Sequence, residues 1–444
     1  MFVGPLQPMN LKALFKDSAL YSVVNILNKG MSIVLLPIYT FFLSPEQFGL
    51  IDYMAAIGSI VAVTVSLEVS QAAVRFLPEI HKESGDTGPV ISASIISLLV
   101  TFGLFLFPAL LFSQDISVFL FDTIEHANII RLCAVLFLLH GFVSIFNSIL
   151  VATLRSKKSV MFSLLNTMVN GLTAYLILVS TDLRVEALLL GQITGSVVAL
   201  ICFYRAVLGG IRLSVSKQHL LMVYRFSIPL IPSSIGVILA TFTDRLMIKE
   251  FLDLGSLGVY GIALRVASIM TLITIGFRTA ITPLIYVSYK ADDAKAKITR
   301  MFYLYLMVAA VIVIFLLFFQ DSIVLYLSSQ EYMRATEVIV ILATTVFISS
   351  CYVFFPGLSL AKKTLSISAV NVVGMLVNVG LNLYLIPRYG IIGAANATLF
   401  SAVITFMGHF IMSQKYYYLP ISRLQMSLIM GIILSSIFML QGTL

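Results

Sequence analysis

Two basic side chains lie inside long apolar blocks of the sequence, where a charge is costly. Lys29 stands within the block at residues 18–43, and Arg265 within the block at residues 256–280. An ionisable side chain in a hydrocarbon layer costs about 2.5 kcal/mol or more, so such residues usually serve a function. Lysine and arginine bind anionic groups. We therefore expect Lys29 and Arg265 to bind an anionic substrate; the alternative is that each pairs with a carboxylate or reaches an interface.

Charged side chains near the ends of the apolar blocks could form gates. Glu68 lies seven residues before Arg75, hence on a similar helical face, and either contacts it or pairs with Arg278 as an inner gate. Glu68 is also a candidate to accept a coupling proton or to counter a Na⁺ ion. Asp244 and Arg245 form either an outer gate or a capped, solvated helix end. Arg278 is in addition a candidate to attract the anionic substrate from the surface.

Amide side chains in the blocks could bind polar substrate groups, because they offer both hydrogen-bond donors and acceptors. Asn25 and Asn28 stand beside Lys29 and are expected to join it in binding substrate. Three further amides share one helical face in a later block: Asn371, Asn378 and Asn382. These either bind sugar hydroxyls or hold neighbouring helices together.

Prolines in two of the blocks could bend the helices that carry the charged residues. Pro37 lies in the first block, and Pro229 with Pro232 lies at the start of the seventh. A bend in a helix has an identifiable cause, and proline is the commonest one. We therefore interpret these three prolines as candidate hinges.

Membrane-spanning helices are the elements that must position these residues. The chain is 59% hydrophobic and only 11% charged, against roughly 25% charged residues in soluble domains. Its apolar blocks approach the ~20 residues that cross a bilayer as a helix. The sequence thus predicts an all-α integral membrane protein with about twelve spans plus one C-terminal span. The blocks lie at residues 18–43, 50–74, 90–113, 127–152, 159–181, 185–207, 222–247, 256–280, 300–320, 335–360, 366–387, 391–413 and 424–441.

The positive charges orient these spans and divide the chain. Most of the 28 lysines and arginines fall on the cytoplasmic side if the N-terminus is cytoplasmic, which is the bias that orients membrane proteins. The net charge of +8 therefore indicates topology and attraction to lipid headgroups, and no nucleic-acid partner is expected. We predict an N-terminal six-helix lobe (1–208), a cytoplasmic linker (209–219), a C-terminal six-helix lobe (220–414) and an additional span (415–444).

The two predicted lobes resemble each other around the turn between their first and second spans. Residues 42–49 align without a gap to residues 251–258, and the same register places Glu68 on Phe277, next to Arg278. Since each lobe has an even number of spans and starts on the same side, the repeat is parallel, with a pseudo-twofold axis along the membrane normal. Transporters built from such repeats bind substrate between the halves and alternate by rocking them.

Three passages carry a family resemblance. They are Leu43–Gly49, Thr243–Ile248 with Gly258–Tyr260, and Asn382–Thr398. They resemble the Wzx-type oligosaccharide and polysaccharide flippases of the multidrug/oligosaccharidyl-lipid/polysaccharide (MOP) exporter superfamily, which also contains the MATE transporters. The resemblance implies a two-lobed bundle with a central cationic cavity lined by the first, second, seventh and eighth helices. Lys29 and Arg265 would then face the cavity and bind a pyrophosphate headgroup.

The function implied by this resemblance is the flipping of a polyprenyl phosphate- or pyrophosphate-linked oligosaccharide across the bacterial inner membrane. The cargo would move from the inner to the outer leaflet for O-antigen, capsule or exopolysaccharide biosynthesis. The implied partners are this polyprenyl-linked glycan, membrane lipids and a glycan polymerase or assembly machinery.

Some other functions lack support in the sequence. There is no G-x-x-x-x-G-K-[ST] motif for ATP phosphates and no Cys/His cluster with metal spacing, so we expect no cofactor, no metal and no enzyme activity. Energy would come from an H⁺ or Na⁺ gradient, the substrate's own gradient or a partner. The main alternative is a MATE-like ion-coupled antiporter of small molecules. A membrane glycan polymerase is less favoured because the outer loops are short.

Overall fold

The described part of the chain is entirely helical in its secondary-structure elements. The computed structural model describes residues 30–31, 33–83, 86–153, 155–207, 214, 216–289 and 293–422, with 424, 425, 427, 429 and 431. Within these residues, ten helices are long and apolar enough to cross a membrane. The predicted all-α membrane architecture is therefore confirmed. The count of twelve spans plus one stays a prediction, since much of the first and of the last predicted span lies outside the described residues.

The helices follow one another along the chain and are joined by short connections. Those of the first half are α1 (Leu36–Phe42), α2 (Pro45–Ser66), α3 (Val69–Glu83), α4 (Gly88–Leu111), α5 (Ser113–Phe121), α6 (Ala127–Ala152), α7 (Ser156–Ser180) and α8 (Val185–Val207). Those of the second half are α9 (Lys217–Ser227), α10 (Ile231–Phe251), α11 (Leu254–Ala267), α12 (Ile269–Ser288), α13 (Ala294–Leu327), α14 (Thr336–Ser350), α15 (Gly357–Leu360) and α16 (Thr364–Tyr416). Short 3₁₀ turns occupy Ile228–Leu230, Gln330–Ala335 and Cys351–Phe354.

The helices pack into two compact units whose boundary differs from that of the predicted lobes. Among the described residues, 54–238 with 30–31 form the first unit, and 33–53 with those from 239 onward form the second. The boundary therefore falls inside α2 and inside α10, not at the predicted linker. Compactness groups residues by contact, whereas the predicted lobes rest on a sequence repeat, so the lobes stay a prediction.

In the first unit, α6 is packed on three sides, against α3, α4 and α8. Helices α7 and α8 form a hairpin whose backbones come close together. A Cβ atom on Gly191 would lie 2.7 Å from the carbonyl oxygen of Asn170, and one on Gly195 would lie 2.6 Å from that of Asn166. Small residues at these positions of α8 therefore allow the two helices to approach.

In the second unit, α14 is the central helix. It packs against α11, α13 and α16, and most residues of the span that contains it are buried. Helix α1 joins this unit at its edge, where the Thr40 Oγ1 hydroxyl donates to the carbonyl oxygen of Leu327 at 3.1 Å. The end of α1 and the beginning of α2 are thus held by helices from the second half of the chain.

The predicted span at residues 50–74 is wrong as a single helix. Helix α2 ends at Ser66, and Leu67 and Glu68 adopt positive φ angles of 51° and 54° before α3 begins. A left-handed backbone costs a non-glycine residue roughly 1–2 kcal/mol, and the apolar run continues through the break. Hydropathy alone therefore gives no sign of it.

Helix α16 contains the two spans predicted at residues 366–387 and 391–413. It is 53 residues long and has one non-helical residue, Gly390, with φ +57° and ψ −138°. Glycine accepts this conformation because it lacks a Cβ atom. Pro387 lies just before this point, so a proline and a glycine together mark the junction between the spans.

The three predicted hinge prolines lie at helix starts or junctions. Pro37 falls in the first turn of α1, Pro229 lies in the 3₁₀ turn between α9 and α10, and Pro232 is the second residue of α10. The first turn of a helix accepts proline without distortion. Their role as hinges stays a prediction.

Candidate functional site

Arg265 is held in α11 by a carboxylate. Its Nη2 atom lies 2.6 Å from Asp52 Oδ1 and its Nη1 atom 3.0 Å from Asp52 Oδ2. Nη1 also donates to the carbonyl oxygen of Gly261 at 3.0 Å. The Asp52 side chain is 5% exposed and that of Arg265 is 29% exposed. The alternative in which Arg265 pairs with a carboxylate is thus the arrangement seen, and its predicted substrate role is untested.

One aromatic ring lies over the arginine of this ion pair, and a second ring packs against the first. The guanidinium carbon of Arg265 lies 4.4 Å from the centre of the Phe48 ring, a distance that allows a cation–π interaction. Phe48 meets the ring of Tyr332 edge-on at 6.0 Å. The Tyr332 hydroxyl donates to the carbonyl oxygen of Leu43 at 2.9 Å and so holds the turn that precedes α2.

Asp52 was missed in the sequence interpretation, although a signal for it exists. It shares its apolar block with only one other acidic residue, Glu68. The register that aligns residues 42–49 with residues 251–258 places Asp52 on Gly261, one helical turn before Arg265. A carboxylate aligned so close to an arginine in the facing helix is a candidate partner.

Glycines allow α2 and α11 to meet at the backbone. A Cβ atom on Gly49 would collide with the carbonyl oxygen of Leu254, and one on Gly258 would collide with that of Pro45. The two contacts are reciprocal in the predicted register, in which residue 45 aligns with 254 and residue 49 with 258. The Asp52 carboxylate in turn occupies the space that a Cβ atom on Gly261 would need. The helices are therefore close enough for the short side chain of Asp52 to reach Arg265.

A second polar cluster surrounds Asp244 in the same unit. Its Oδ2 atom accepts from Thr398 Oγ1 at 2.6 Å and from the Tyr260 hydroxyl at 3.1 Å. Its Oδ1 atom accepts from Asn382 Nδ2 at 2.6 Å. Asn382 Nδ2 also donates to Asn378 Oδ1 at 3.1 Å, while the buried Asn382 Oδ1 atom has no hydrogen-bond partner among the described residues. Helices α10, α11 and α16 thus place three neutral donors around one carboxylate.

The interpretation of Asp244 as a solvated helix end is wrong. Helix α10 continues to Phe251, and Asp244 is half-buried and hydrogen-bonded. The neighbouring Arg245 points its guanidinium at Phe242, 4.7 Å from the ring centre. Within the described part of the chain, its buried Nε atom has no hydrogen-bond partner. The outer-gate role of Asp244 and Arg245 stays a prediction.

The remaining predicted gate residues are not brought together within one unit. Arg75 pairs with Glu79, with Nη1 2.7 Å from Oε2, so the expected contact between Glu68 and Arg75 is wrong. The helix break before α3 removes the shared face on which that contact depended. Glu68 is buried in the first unit and Arg278 is exposed in the second. Their pairing as an inner gate stays a prediction.

The substrate residues predicted beside Arg265 lie outside the described residues: Asn25, Asn28 and Lys29. The amides of the later block have separate partners. Asn371 Oδ1 lies 3.0 Å from His409 Nε2, whereas Asn378 and Asn382 belong to the cluster around Asp244. The contacts of Asn371 and Asn378 stay within α16, and that of Asn382 with Asp244 joins α16 to α10; a role in binding sugar hydroxyls stays a prediction.

The chemistry of these two clusters differs. The Arg265 guanidinium offers a planar pair of donors, which matches a carboxylate or a phosphate. The Asp244 cluster offers carboxylate, amide and hydroxyl oxygens, which suit a proton or a hard cation. Among the described residues, no group of three or more His, Cys, Asp or Glu side chains could hold a metal ion.

Comparisons with protein families match most of the chain. A family model described as a polysaccharide biosynthesis protein matches residues 14–286, and one described as MatE matches residues 229–384. The probable low-salt glycan biosynthesis flippase Agl15 of Haloferax volcanii is 25% identical over 402 residues, which are 89% of this chain and 82% of that protein. The succinoglycan biosynthesis transport protein ExoT of Rhizobium meliloti is 26% identical over 248 residues, which are 54% of this chain and 47% of that protein.

Solved structures of transporters share the fold. The lipid II flippase MurJ in an inward closed conformation aligns with a TM-score of 0.74 at 15% identity, covering 97% of this chain and 92% of that one. An inward-facing multidrug resistance MATE transporter of the MOP superfamily aligns with a TM-score of 0.70 at 15% identity, covering 87% of this chain and 94% of that one. The predicted MOP-like fold is confirmed.

Proposed function

Because this chain belongs to the polysaccharide biosynthesis protein family and has the MOP transporter fold, we propose that it is a flippase for a lipid-linked glycan. The proposed cargo is an oligosaccharide on a polyprenyl phosphate or pyrophosphate. Two relatives support this class of cargo by their names, one a glycan biosynthesis flippase and the other a succinoglycan transport protein.

The geometry of Arg265 is the observation that carries the proposal. Its guanidinium lies in a membrane-spanning helix, presents two parallel donors and keeps 29% of its side chain exposed. Arginine binds phosphate oxygens through two such donors. A charge in this position is costly unless an anion pairs with it; in this structure that anion is Asp52, and in the proposed flippase the phosphate of the cargo takes its place during transport.

The charge of Arg265 is already paired with the carboxylate of Asp52 among the described residues of this unit. A positive surplus for the headgroup therefore has to come from Lys29, whose place in the site stays part of the proposal, or from the displacement of a carboxylate.

A second candidate function is the ion-coupled antiport of small molecules. The specific observation in its favour is the carboxylate of Asp244, because a cationic substrate needs such a group and the MatE family model covers it. Transport of cationic dyes in membrane vesicles, lost in Asp244→Asn and kept in Arg265→Gln, would favour this alternative over glycan flipping.

We further propose that Asp244 takes the coupling ion, H⁺ or Na⁺. It is the centre of three hydrogen bonds from neutral groups, and the Asn382 oxygen beside it has no partner in the part of the chain that the structure describes. A proton or a cation on Asp244 would weaken or redirect these bonds and so change how α10, α11 and α16 pack. Glu68, the other predicted coupling residue, offers no comparable cluster within the described residues of its unit.

The proposed direction is from the inner to the outer leaflet, with a cytoplasmic N-terminus. It rests on the distribution of lysines and arginines along the sequence. The proposed location is the inner membrane of a prokaryotic cell, and the proposed partners are a glycan polymerase or assembly machinery that receives the flipped lipid.

The decisive experiment is deletion of the gene followed by lipid extraction. We expect polyprenyl-linked oligosaccharide to accumulate on the cytoplasmic leaflet and surface glycan to be lost, and the mass of the lipid would name the sugar. Complementation with Arg265→Ala, at equal membrane abundance, should leave the lipid accumulated. Normal surface glycan in the deletion strain would contradict the proposed function, and normal glycan with Arg265→Ala would remove this residue from the site.

A further inference from the structure

We infer that Asp52 is a built-in counter-anion for Arg265, which the phosphate of the lipid headgroup displaces during transport. This inference rests on the proposed function and adds a residue to its site. Asp52 would set how tightly the headgroup is held, and would help to release it by pairing again with Arg265.

The two anions would compete for the same donors. Both carboxylate oxygens of Asp52 face the two terminal nitrogens of Arg265, at 2.6 and 3.0 Å. A phosphate group binds a guanidinium through the same parallel pair of bonds. Phosphate and Asp52 therefore cannot both use this pair of donors, and a phosphate that binds there requires release of Asp52.

The contact between the helices does not depend on the ion pair. Helices α2 and α11 already meet through the backbones of Gly49 and Gly258. A buried ion pair contributes little net stability, because desolvation offsets most of its attraction. A carboxylate placed at this contact is thus poorly explained by stability alone.

The surroundings favour exchange over a permanent pair. Asp52 is 5% exposed, whereas Arg265 is 29% exposed, so an anion can approach the arginine from its open side. Once released, Asp52 would still have a positive neighbour, since the charge of Arg245 interacts with it.

The test measures binding of farnesyl diphosphate to the purified full-length protein in nanodiscs. Removing the competing charge with Asp52→Asn should tighten binding about tenfold or more, because hydrogen bonds between charged groups contribute roughly 1.5–3 kcal/mol and each 1.4 kcal/mol is tenfold. Flipping should slow, since release becomes harder. Arg265→Gln should lose binding. Asp293→Asn, which removes one carboxylate of an exposed pair with Lys297, is the matched control and should bind like the wild type.

Four outcomes would overturn the inference or its premise. If Asp52→Asn binds farnesyl diphosphate no better than the wild type while Arg265→Gln loses it, Asp52 is no competitor and the flippase proposal stands. If wild type and Arg265→Gln bind equally, the headgroup site itself is wrong. If Asp52→Asn binds inorganic pyrophosphate more tightly than the wild type does, but binds farnesyl diphosphate no more tightly, the competing anion is not a lipid. Should Asp52→Asn fail to fold, Asp52→Ser tests the same point, and a lower unfolding temperature without tighter binding would mark a structural pair.

Discussion

Replacing Gly258 with alanine should force α2 and α11 apart where their backbones meet. The new Cβ atom would collide with the carbonyl oxygen of Pro45 and lie 3.0 Å from the amide nitrogen of Gly49. Neither backbone atom can rotate away as a side chain would. Overpacking of this kind costs about 1–3 kcal/mol, which corresponds to a shift of about 5- to 150-fold away from the packed arrangement.

Cross-linking can measure this shift. Thr40 and Leu327 are joined by a hydrogen bond of 3.1 Å, and only a short turn separates α1 from α2. A cysteine pair at these positions should cross-link rapidly when α2 is packed, in a chain whose three native cysteines are alanine. Gly258→Ala should lower the cross-linking rate by about 5-fold or more.

Two further variants serve as a control and as an independent test of the same contact. Gly276→Ala also replaces a helical glycine in the same unit, but its Cβ atom would meet nothing within 4 Å, so it controls for the gain of about 1 kcal/mol in helix propensity. Gly49→Ala should act like Gly258→Ala, because the two contacts are reciprocal. Equal cross-linking in Gly258→Ala and Gly276→Ala would refute the idea that the glycines set this contact.

Two further predictions concern polar contacts of the second unit. Asp244→Asn should make flipping insensitive to an imposed Na⁺ or pH gradient in vesicles, because the neutral side chain no longer binds the coupling ion. If the response to the gradient is unchanged, Asp244 is not the residue that binds the ion. Tyr332→Phe should lower the stability to unfolding by about 1–3 kcal/mol, because it leaves the carbonyl oxygen of Leu43 without its partner. The exposed Tyr326→Phe is the matched control for thermal unfolding, and equal unfolding temperatures would contradict the role of this hydrogen bond.

Most of the fold follows from local sequence, because a span needs only a sufficient length of apolar residues. The junction inside α16 was also foreseeable, since Gly390 follows closely after Pro387. The break at Leu67 and Glu68 was not, because it rests on strained backbone at residues with no preference for it. The unit boundary inside α2 depends on contacts between distant helices, and no local pattern reports these.

The candidate site was only partly predictable from the sequence. Arg265 stands out as a charge in an apolar block, but its partner Asp52 becomes visible only when the two halves are aligned. The cluster around Asp244 brings together residues of α10, α11 and α16. Two of its amides were identified as one helical face, yet their position beside Asp244 depends on tertiary packing.

The pairing of Asp52 with Arg265 has a consequence for the synthesis and membrane insertion of the protein. The two residues are 213 positions apart, and ribosomes add roughly 5–20 residues per second. Asp52 is therefore synthesised some 10–40 seconds before its arginine. During that interval the carboxylate of Asp52 has no arginine to pair with. Either the insertion machinery keeps it in a polar environment, or α2 is not yet fully inserted and packed. Chains interrupted before Arg265 should accordingly be degraded faster than chains interrupted just after α11.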